Sequence, residues 1–241
     1  MKLLVINPNT SVEMTASIDV AAKAVASATT EVRTVCGAFG PQSIEGHFDE
    51  VVAAAAVVER VRDHHDWAPD GVVIACFGDP GLDGAREACD APVLGIAEAA
   101  FHVASMVATG FSVITTMERT CIIARHLVER YGFERKCRGI HAIEVPVLEL
   151  ESCDGDVFET MIQAAQAALE KDRSGAIVLG CAGMATACQA MQQRLGVPVI
   201  DGVSAAVNLA QALSAMGIAT SKRGDYARPL PKAYIGWRGW D

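Results

Sequence analysis

The chain has 241 residues, 51% of them apolar and 20% charged, which suffices for a sizeable core without disulfides or metals and excludes a disordered protein. Its net charge of −9 and the lack of a basic stripe disfavour nucleic acid as a partner. The first apolar run, Leu3 to Ile6, is too short for a signal-peptide core. The longest, Val51 to Val58, is far below the roughly 18 residues of a membrane span. We therefore expect a cytoplasmic protein with no membrane partner.

The cysteine pattern indicates free thiols. Eight cysteines are spread along the chain: Cys36, Cys76, Cys89, Cys121, Cys137, Cys153, Cys181 and Cys188. No two of them form a CxxC pair, so a zinc or iron–sulfur site has no support and we predict no metal. A reducing compartment is the expected setting.

The first part of the chain alternates short β-branched runs with Ala-rich stretches, a pattern typical of a parallel sheet covered by helices. We predict strands near Lys2–Ile6, Glu31–Val35, Gly71–Ala75 and Pro92–Ile96. The helices that follow them are predicted to begin near Ser11, Phe48, Pro80 and Ala97.

The same cycle then restarts. Strands are predicted near Phe111–Ile114, Arg138–Ile143, Gly175–Leu179 and Pro198–Ile200, with helices from about Met117, Asp156, Gly183 and Val203. The fold class is therefore α/β, with two pseudo-symmetric lobes, each a four-stranded, mostly parallel sheet flanked by helices, and a cleft between them. We assign residues 1–100 to lobe 1, completed by the segment 205–241, and residues 101–204 to lobe 2.

The two halves also match in detail, as an internal duplication would. In the first, Cys76 comes just after a predicted strand, Pro92 follows after 16 residues and an Ala pair after seven more. In the second, Cys181 comes just after a predicted strand, Pro198 follows after 17 residues and an Ala pair again after seven. Cys76 and Cys181 are therefore counterparts.

Both cysteines follow a predicted strand and precede a predicted helix, where ligands gather in parallel α/β sheets. A helix N-terminus lowers the pKa of a thiol, so we expect thiolates near neutral pH. Beside Cys76, Asp79 is the expected N-cap and Pro80 the expected first-turn residue. Backbone N–H groups could approach a developing oxyanion at Gly78, Gly81 and Gly183.

Two thiols on opposite sides of one cleft suit racemisation. One group removes a proton from a carbon acidified by a carbonyl, and the other returns a proton to the opposite face. This chemistry requires no cofactor, and we predict none. The other six cysteines have no counterpart and are interpreted as small core or surface residues.

Several long sequence blocks resemble one family. They are Ile6–Thr10, Ser43–Glu50, Ala75–Leu82, Gly95–Ala100, Leu179–Met184, Pro198–Asp201 and Ala219–Lys222. With them the chain resembles the hydantoin and allantoin racemases of the aspartate/glutamate racemase superfamily over nearly its whole length, apart from the tail after Pro231. The resemblance implies a duplicated α/β fold, an isomerase without cofactor, and two catalytic cysteines.

The resemblance also implies roles for individual residues. Cys76 and Cys181 would be the acid–base pair. The substrate ring would be lined by Phe77, Gly78, Ala182 and Gly183, and the pocket completed by Asn9, Ile44, Thr115 and Thr116. Asn9 has an alternative role as the cap of the helix near Ser11. The acids Glu45, Asp49, Glu98 and Asp201 are better explained as helix-start charges or indirect supports than as catalysts.

The substrate implied is a 5-substituted hydantoin, with allantoin as the physiological candidate, which would place the protein in purine catabolism. A racemase of aspartate or glutamate and a cysteine-dependent diacid isomerase remain alternatives. Their anionic substrates would favour Arg or Lys at strand ends, which here carry Asn, Thr, Phe and Gly.

A non-enzymatic small-molecule-binding protein also stays open, as does a homo-oligomer. The glycine run from Gly78 to Gly84 is not GxGxxG, so a nucleotide-binding oxidoreductase is disfavoured.

Overall fold

Strands and helices alternate through both halves of the computed structural model, which describes residues 1–151 and 155–236. The first half contains β1 (Lys2–Asn7), α1 (Val12–Val25), β2 (Glu31–Cys36), α2 (His47–Asp63), β3 (Gly71–Ile74), α3 (Leu82–Ala88), β4 (Val93–Gly95) and α4 (Ile96–Val107). The second contains β5 (Phe111–Thr115), α5 (Glu118–Arg130), β6 (Cys137–Ala142), α6 (Gly155–Asp172), β7 (Ala176–Leu179), α7 (Cys188–Leu195), β8 (Val199–Asp201) and α8 (Gly202–Ala215). Short 3-10 helices span His65–Trp67, Val147–Glu151 and Ala182–Ala187. No helix in these described ranges combines the length and apolarity needed to cross a membrane.

The strands form two four-stranded parallel sheets of identical topology. Their orders are β2-β1-β3-β4 and β6-β5-β7-β8, so each strand has a counterpart in the other sheet. All eight predicted strands are present, with every boundary within one residue of its prediction. The α/β fold of two parallel sheets is confirmed.

Alternation along the central strands divides the apolar side chains between cores. In β1, Leu3 and Val5 face the space between the two sheets, whereas Leu4 and Ile6 face outward. The outer core of the first sheet is closed by α2 and α3, and that of the second by α6 and α7. Because both faces of the central strands are covered, most of their residues are apolar and buried, and the polar Ser112 and Thr115 of β5 are buried as well.

Two helices cross between the halves. Helix α4 follows β4 of the first sheet but packs against β7 and β8 of the second. Helix α8 follows β8 and packs against β3 and β4 of the first sheet. The starts of the two helices touch, since a Cβ added to Gly202 would lie 2.5 Å from the carbonyl oxygen of Ile96. The exact lobe boundaries, 1–100 with 205–241 and 101–204, stay a prediction.

An aromatic cluster joins the crossing helix α4 to the second half. The ring of Phe101 stacks on Phe111 in β5 at 5.4 Å between centroids and meets Phe133 at 5.8 Å. It also makes an edge contact with Phe77 at 5.6 Å. Phe77 directly follows Cys76, so this cluster supports the backbone that carries a candidate site residue.

The expected N-cap at Asp79 is wrong. Helix α3 begins only at Leu82, after Gly81 in the left-handed conformation, so Pro80 is not its first residue. The Asp79 carboxylate instead accepts hydrogen bonds of 3.0 Å from the backbone N–H groups of Ala97 and Glu98 at the start of α4. That helix needs the acceptor because its N-cap, Gly95, has no side chain.

The helix expected from Gly183 also differs. The chain first forms the 3-10 helix Ala182–Ala187, and the α-helical geometry of α7 begins at Cys188. The predicted structural role of Cys153 lies outside the described residues.

Replacing Phe101 by Ala should lower the free energy of unfolding by about 3–5 kcal/mol, since a fully buried aromatic ring would leave a cavity at the centre of the cluster. Urea denaturation followed by circular dichroism measures this loss. The control is Phe48→Ala in α2, where the ring is 84% exposed and the change should stay within about 0.5 kcal/mol. Equal losses for the two variants would contradict the role given to the cluster.

Candidate active site

A cavity of about 550 Å³, including its open mouth, lies at the carboxyl ends of the central strands of both sheets. Its lining comes from strand ends, the loops after them, and the facing sides of α1, α2 and α5. The lining residues are Asn7, Asn9, Met14, Ile44, Glu50, Ala75, Cys76, Phe77, Gly78, Thr115, Thr116, Thr120, Ile123, Val147, Gly180, Cys181 and Ala182. Most of this surface is apolar, which is typical of a small-molecule site.

The two candidate cysteines occupy equivalent positions in this wall. Cys76 follows β3 and Cys181 follows β7, each two residues beyond the last strand residue. Both side chains are partly exposed to the cavity. The backbone N–H of Gly78 donates to the sulfur of Cys76, and that of Gly183 donates to the sulfur of Cys181. The duplication predicted from the sequence thus brings two thiols, held in the same way, to one cavity.

The thiols are not the low-pKa groups that their sequence position indicated. Burial raises the pKa of the Cys76 thiol well above its usual range and raises that of Cys181 to about 11. The hydrogen bond from the backbone N–H two residues further along the chain, at Gly78 or Gly183, lowers each pKa. It does not offset the loss of hydration of the thiolate. For Cys76 the expected effect of a helix N-terminus on the pKa is also missing. Helix α3 begins six residues after Cys76, whereas the effect acts within the first turn of a helix.

Seven of the eight residues predicted to contact the substrate line the cavity: Asn9, Ile44, Phe77, Gly78, Thr115, Thr116 and Ala182. Gly183 is not part of the lining. It lies directly behind Cys181, since a Cβ added to Gly183 would be 3.7 Å from that sulfur. The structure therefore gathers the predicted set in one place, and the roles of its members stay a prediction.

Polar side chains at the end of β1 are held by a local network. The side-chain amide of Asn7 donates to Asn9 Oδ1 at 2.7 Å, and the same oxygen accepts from the backbone N–H of Ser11 at 2.9 Å. The cap of α1 is Ser11, whose hydroxyl accepts from Met14, so Asn9 is not that helix's N-cap. The amide nitrogen of Asn9 contacts only the Met14 sulfur, at 3.2 Å, among the described residues.

Sequence reasoning assigned no role to eight lining residues: Asn7, Met14, Glu50, Ala75, Thr120, Ile123, Val147 and Gly180. Asn7 could have been found, because it is the last residue of β1 and parallel strand ends share an edge. Glu50 carried no such signal, since its approach to the cavity depends on how α2 packs against the first sheet.

Of the four acids interpreted as helix-start charges or supports, Asp49 and Glu98 lie in the first turns of α2 and α4, and Asp201 is the N-cap of α8. Glu45 accepts from the backbone N–H of Val147 at 3.1 Å, and Asp49 accepts from the N–H of Glu45 at 3.0 Å. Glu98 pairs with Arg86, and Asp201 caps α8 by accepting from Ser204. None of the four lines the cavity. Within residues 1–151 and 155–236, no group of three or more His, Cys, Asp and Glu side chains is placed to hold a metal ion.

Comparison with known proteins finds racemases that are similar to this chain in sequence and in structure. Residues 3–210 match the model of a family described as Asp/Glu/Hydantoin racemase. The chain is 44% identical to a hydantoin racemase of Rhizobium meliloti, over 98% of each protein. It shares the fold of an allantoin racemase from Klebsiella pneumoniae with a TM-score of 0.96 and 55% identity, over 98% of this chain and 96% of that one. For an allantoin racemase from Pseudomonas fluorescens the TM-score is 0.94 and the identity 39%, over 98% and 100% of the two chains.

Alkylation of Cys181 in the free protein should keep increasing with pH up to about 10.5, whereas the rate for a free cysteine peptide, with a pKa of about 8.5, levels off between about pH 9 and 10. The reason is that burial favours the neutral thiol and raises the pKa of Cys181 to about 11, so little thiolate exists at neutral pH. Iodoacetamide labelling rates measured by mass spectrometry provide the profile. A plateau reached by about pH 9.5 would contradict the assigned direction.

Proposed function

The chain belongs to the Asp/Glu/Hydantoin racemase family, and from this premise we propose that it is a cofactor-independent racemase of 5-substituted hydantoins with allantoin as its substrate. Membership confirms the resemblance drawn from the sequence blocks and makes the protein an isomerase of that family. One observation carries the proposal further: Cys76 and Cys181 sit at equivalent ends of β3 and β7 and line the same cavity.

In the proposed reaction the thiolate of one cysteine removes the proton from C5 on one face of the ring. The thiol of the other gives its proton to C5 on the opposite face, so one C–H bond breaks, another forms, and the charge state of the pair is exchanged. The reverse direction uses the same groups in swapped roles. A thiolate whose pKa is raised by burial is a stronger base than an ordinary one, which suits abstraction of a weakly acidic carbon-bound proton.

The negative charge that leaves C5 spreads onto the neighbouring carbonyl oxygen and needs a donor nearby. The side-chain amide of Asn9 is suited to this task. Its oxygen is held by Asn7 and Ser11, which fixes the amide, and its nitrogen has only a thioether sulfur, a weak acceptor, as its partner among the described residues. An N–H of this amide can therefore serve a substrate oxygen without the loss of a strong hydrogen bond.

The charges in the wall favour a neutral substrate over a carboxylate. No Lys or Arg belongs to the cavity lining formed by the described residues, and its charged side chain is Glu50. A free amino acid or a diacid would place its carboxylates beside this glutamate without a cationic partner. A hydantoin ring carries no such group. This contrast supports the cyclic substrate over the amino-acid and diacid alternatives.

Enantiopure allantoin mixed with the protein should lose its circular-dichroism signal much faster than in a protein-free blank. The same assay on 5-isobutylhydantoin, whose substituent has about the size and branching of the ureido group of allantoin, measures the breadth of the reaction. Decay of neither signal above the blank, together with faster racemisation of aspartate or glutamate, would overturn the proposal. Binding of allantoin without any decay would instead identify a non-enzymatic binding protein.

Cys76→Ser and Cys181→Ser should each lower kcat for racemisation by at least about a hundredfold, because a hydroxyl is far too weak an acid to replace either thiol as a proton carrier. Each variant should keep the far-ultraviolet circular dichroism and Tm of the parent. The control is Cys36→Ser at the end of β2, outside the cavity lining, which should retain the parental rate. Full activity in either cavity variant would remove that cysteine from the mechanism.

A further inference from the structure

One charged side chain in the cavity wall has no part in the two-thiol mechanism. Glu50 lies in the first turn of α2 and lines the cavity that holds Cys76 and Cys181. Its side chain is 20% exposed, so the carboxylate is largely withdrawn from bulk water. A charged group in a mostly apolar wall costs free energy unless a partner compensates it, which makes its presence beside the thiols informative.

The two oxygens of this carboxylate have different surroundings. Oε2 is hydrogen bonded to Nδ1 of His47, 2.9 Å away on the outer side of the helix turn. Oε1 lies against the backbone of Gly78, and within residues 1–151 and 155–236 we find no group that donates a hydrogen bond to it. The histidine thus orients the carboxylate and leaves one oxygen available toward the cavity.

Gly78 makes room for this arrangement. A Cβ at position 78 would lie 2.6 Å from Glu50 Oε1, so any other residue would displace the carboxylate. Gly78 is also the residue whose N–H binds the sulfur of Cys76. The free carboxylate oxygen therefore lies next to the residue that binds the Cys76 sulfur.

There is space for a substituent on this side. Glu50, Gly78 and Ile123 border both the main cavity and a second, more open one of about 780 Å³. A ring held between the two thiols could direct its C5 group along Glu50 toward that opening. The Cys181 side has no matching carboxylate in the lining, so the wall distinguishes one end of the substrate from the other.

We propose that Glu50 is the specificity-determining residue that selects a ureido substituent at C5, accepting hydrogen bonds from its N–H groups. This inference rests on the proposed function and deepens it. The two N–H groups on one edge of a urea point in the same direction and match a carboxylate acceptor. An alkyl substituent has no donor and would leave the charged oxygen both dehydrated and unpaired.

The test compares kcat/KM for allantoin with kcat/KM for 5-isobutylhydantoin in the parent protein and in Glu50→Gln and Glu50→Leu. The ratio of the two values should fall by about tenfold or more in Glu50→Gln, because charge-assisted hydrogen bonds are lost. It should fall further in Glu50→Leu, with the alkyl substrate turned over at least as well as by the parent. We expect the substrate-dependent change for allantoin chiefly in KM. Both thiols remain in place, and the effect of the lost Glu50 charge on the pKa of Cys76 is common to the two substrates and cancels in the ratio.

Glu59→Gln is the matched control, as it makes the same substitution further along α2 at a residue outside the cavity lining, and its ratio should equal that of the parent. An unchanged ratio in both Glu50 variants would overturn the inference. The same holds for an equal loss of kcat for both substrates without any change in the ratio, which a purely packing or proton-transfer role would produce. A parent protein that racemises neither compound refutes the proposed function itself, a result distinct from an active parent whose preference ignores Glu50.

Discussion

The carboxylate of Asp79 joins the loop that carries Cys76 to the helix that crosses between the halves. Asp79 is buried, and its backbone has a left-handed φ of 44°. Its carboxylate accepts hydrogen bonds from two backbone N–H groups of α4 and from the hydroxyl of Tyr131 at 2.8 Å. Burial raises the pKa of Asp79 to about 6, and the hydrogen bonds oppose that rise. Because α4 packs on the second sheet, this one side chain ties the position of Cys76 to the half of the molecule that carries Cys181.

The two halves of the duplicated fold differ in how their crossing helices are capped. Helix α8 begins with its own cap, Asp201, whereas its counterpart α4 begins at Gly95 and takes its cap from the Cys76 loop. The environment of the thiols differs as well. Burial raises the pKa of both. The negative charges of Asp79 and Glu50 raise that of Cys76 further, whereas the one carboxylate among the described residues that acts on Cys181 in this way is Glu45, outside the cavity lining. A symmetric framework thus holds two equivalent proton carriers, while the walls around them are free to distinguish the ends of a substrate.

An apolar cavity suits the proposed chemistry for a physical reason. Water would hydrate a thiolate and weaken it as a base, and it would also compete for the enolate oxygen. Withdrawing both sulfurs from bulk water keeps the thiols largely protonated in the free protein and makes the thiolate that does form a stronger base. The backbone N–H groups of Gly78 and Gly183 oppose this rise of the pKa, each at its own cysteine.

The sequence by itself determined the eight strands, the duplication and the pair Cys76 and Cys181, because side-chain alternation and the spacing of repeated blocks are properties of neighbouring residues. It also brought most of the predicted lining together, since parallel strand ends meet at one edge. Only the tertiary structure decided that α4 and α8 each pack on the sheet of the other half. It also decided the hydrogen-bond partners of Asp79 and the approach of Glu50 to Gly78. It reversed the expected pKa of the thiols for the same reason. Each of these depends on contacts between residues distant along the chain and on the loss of water between them, which no local pattern encodes.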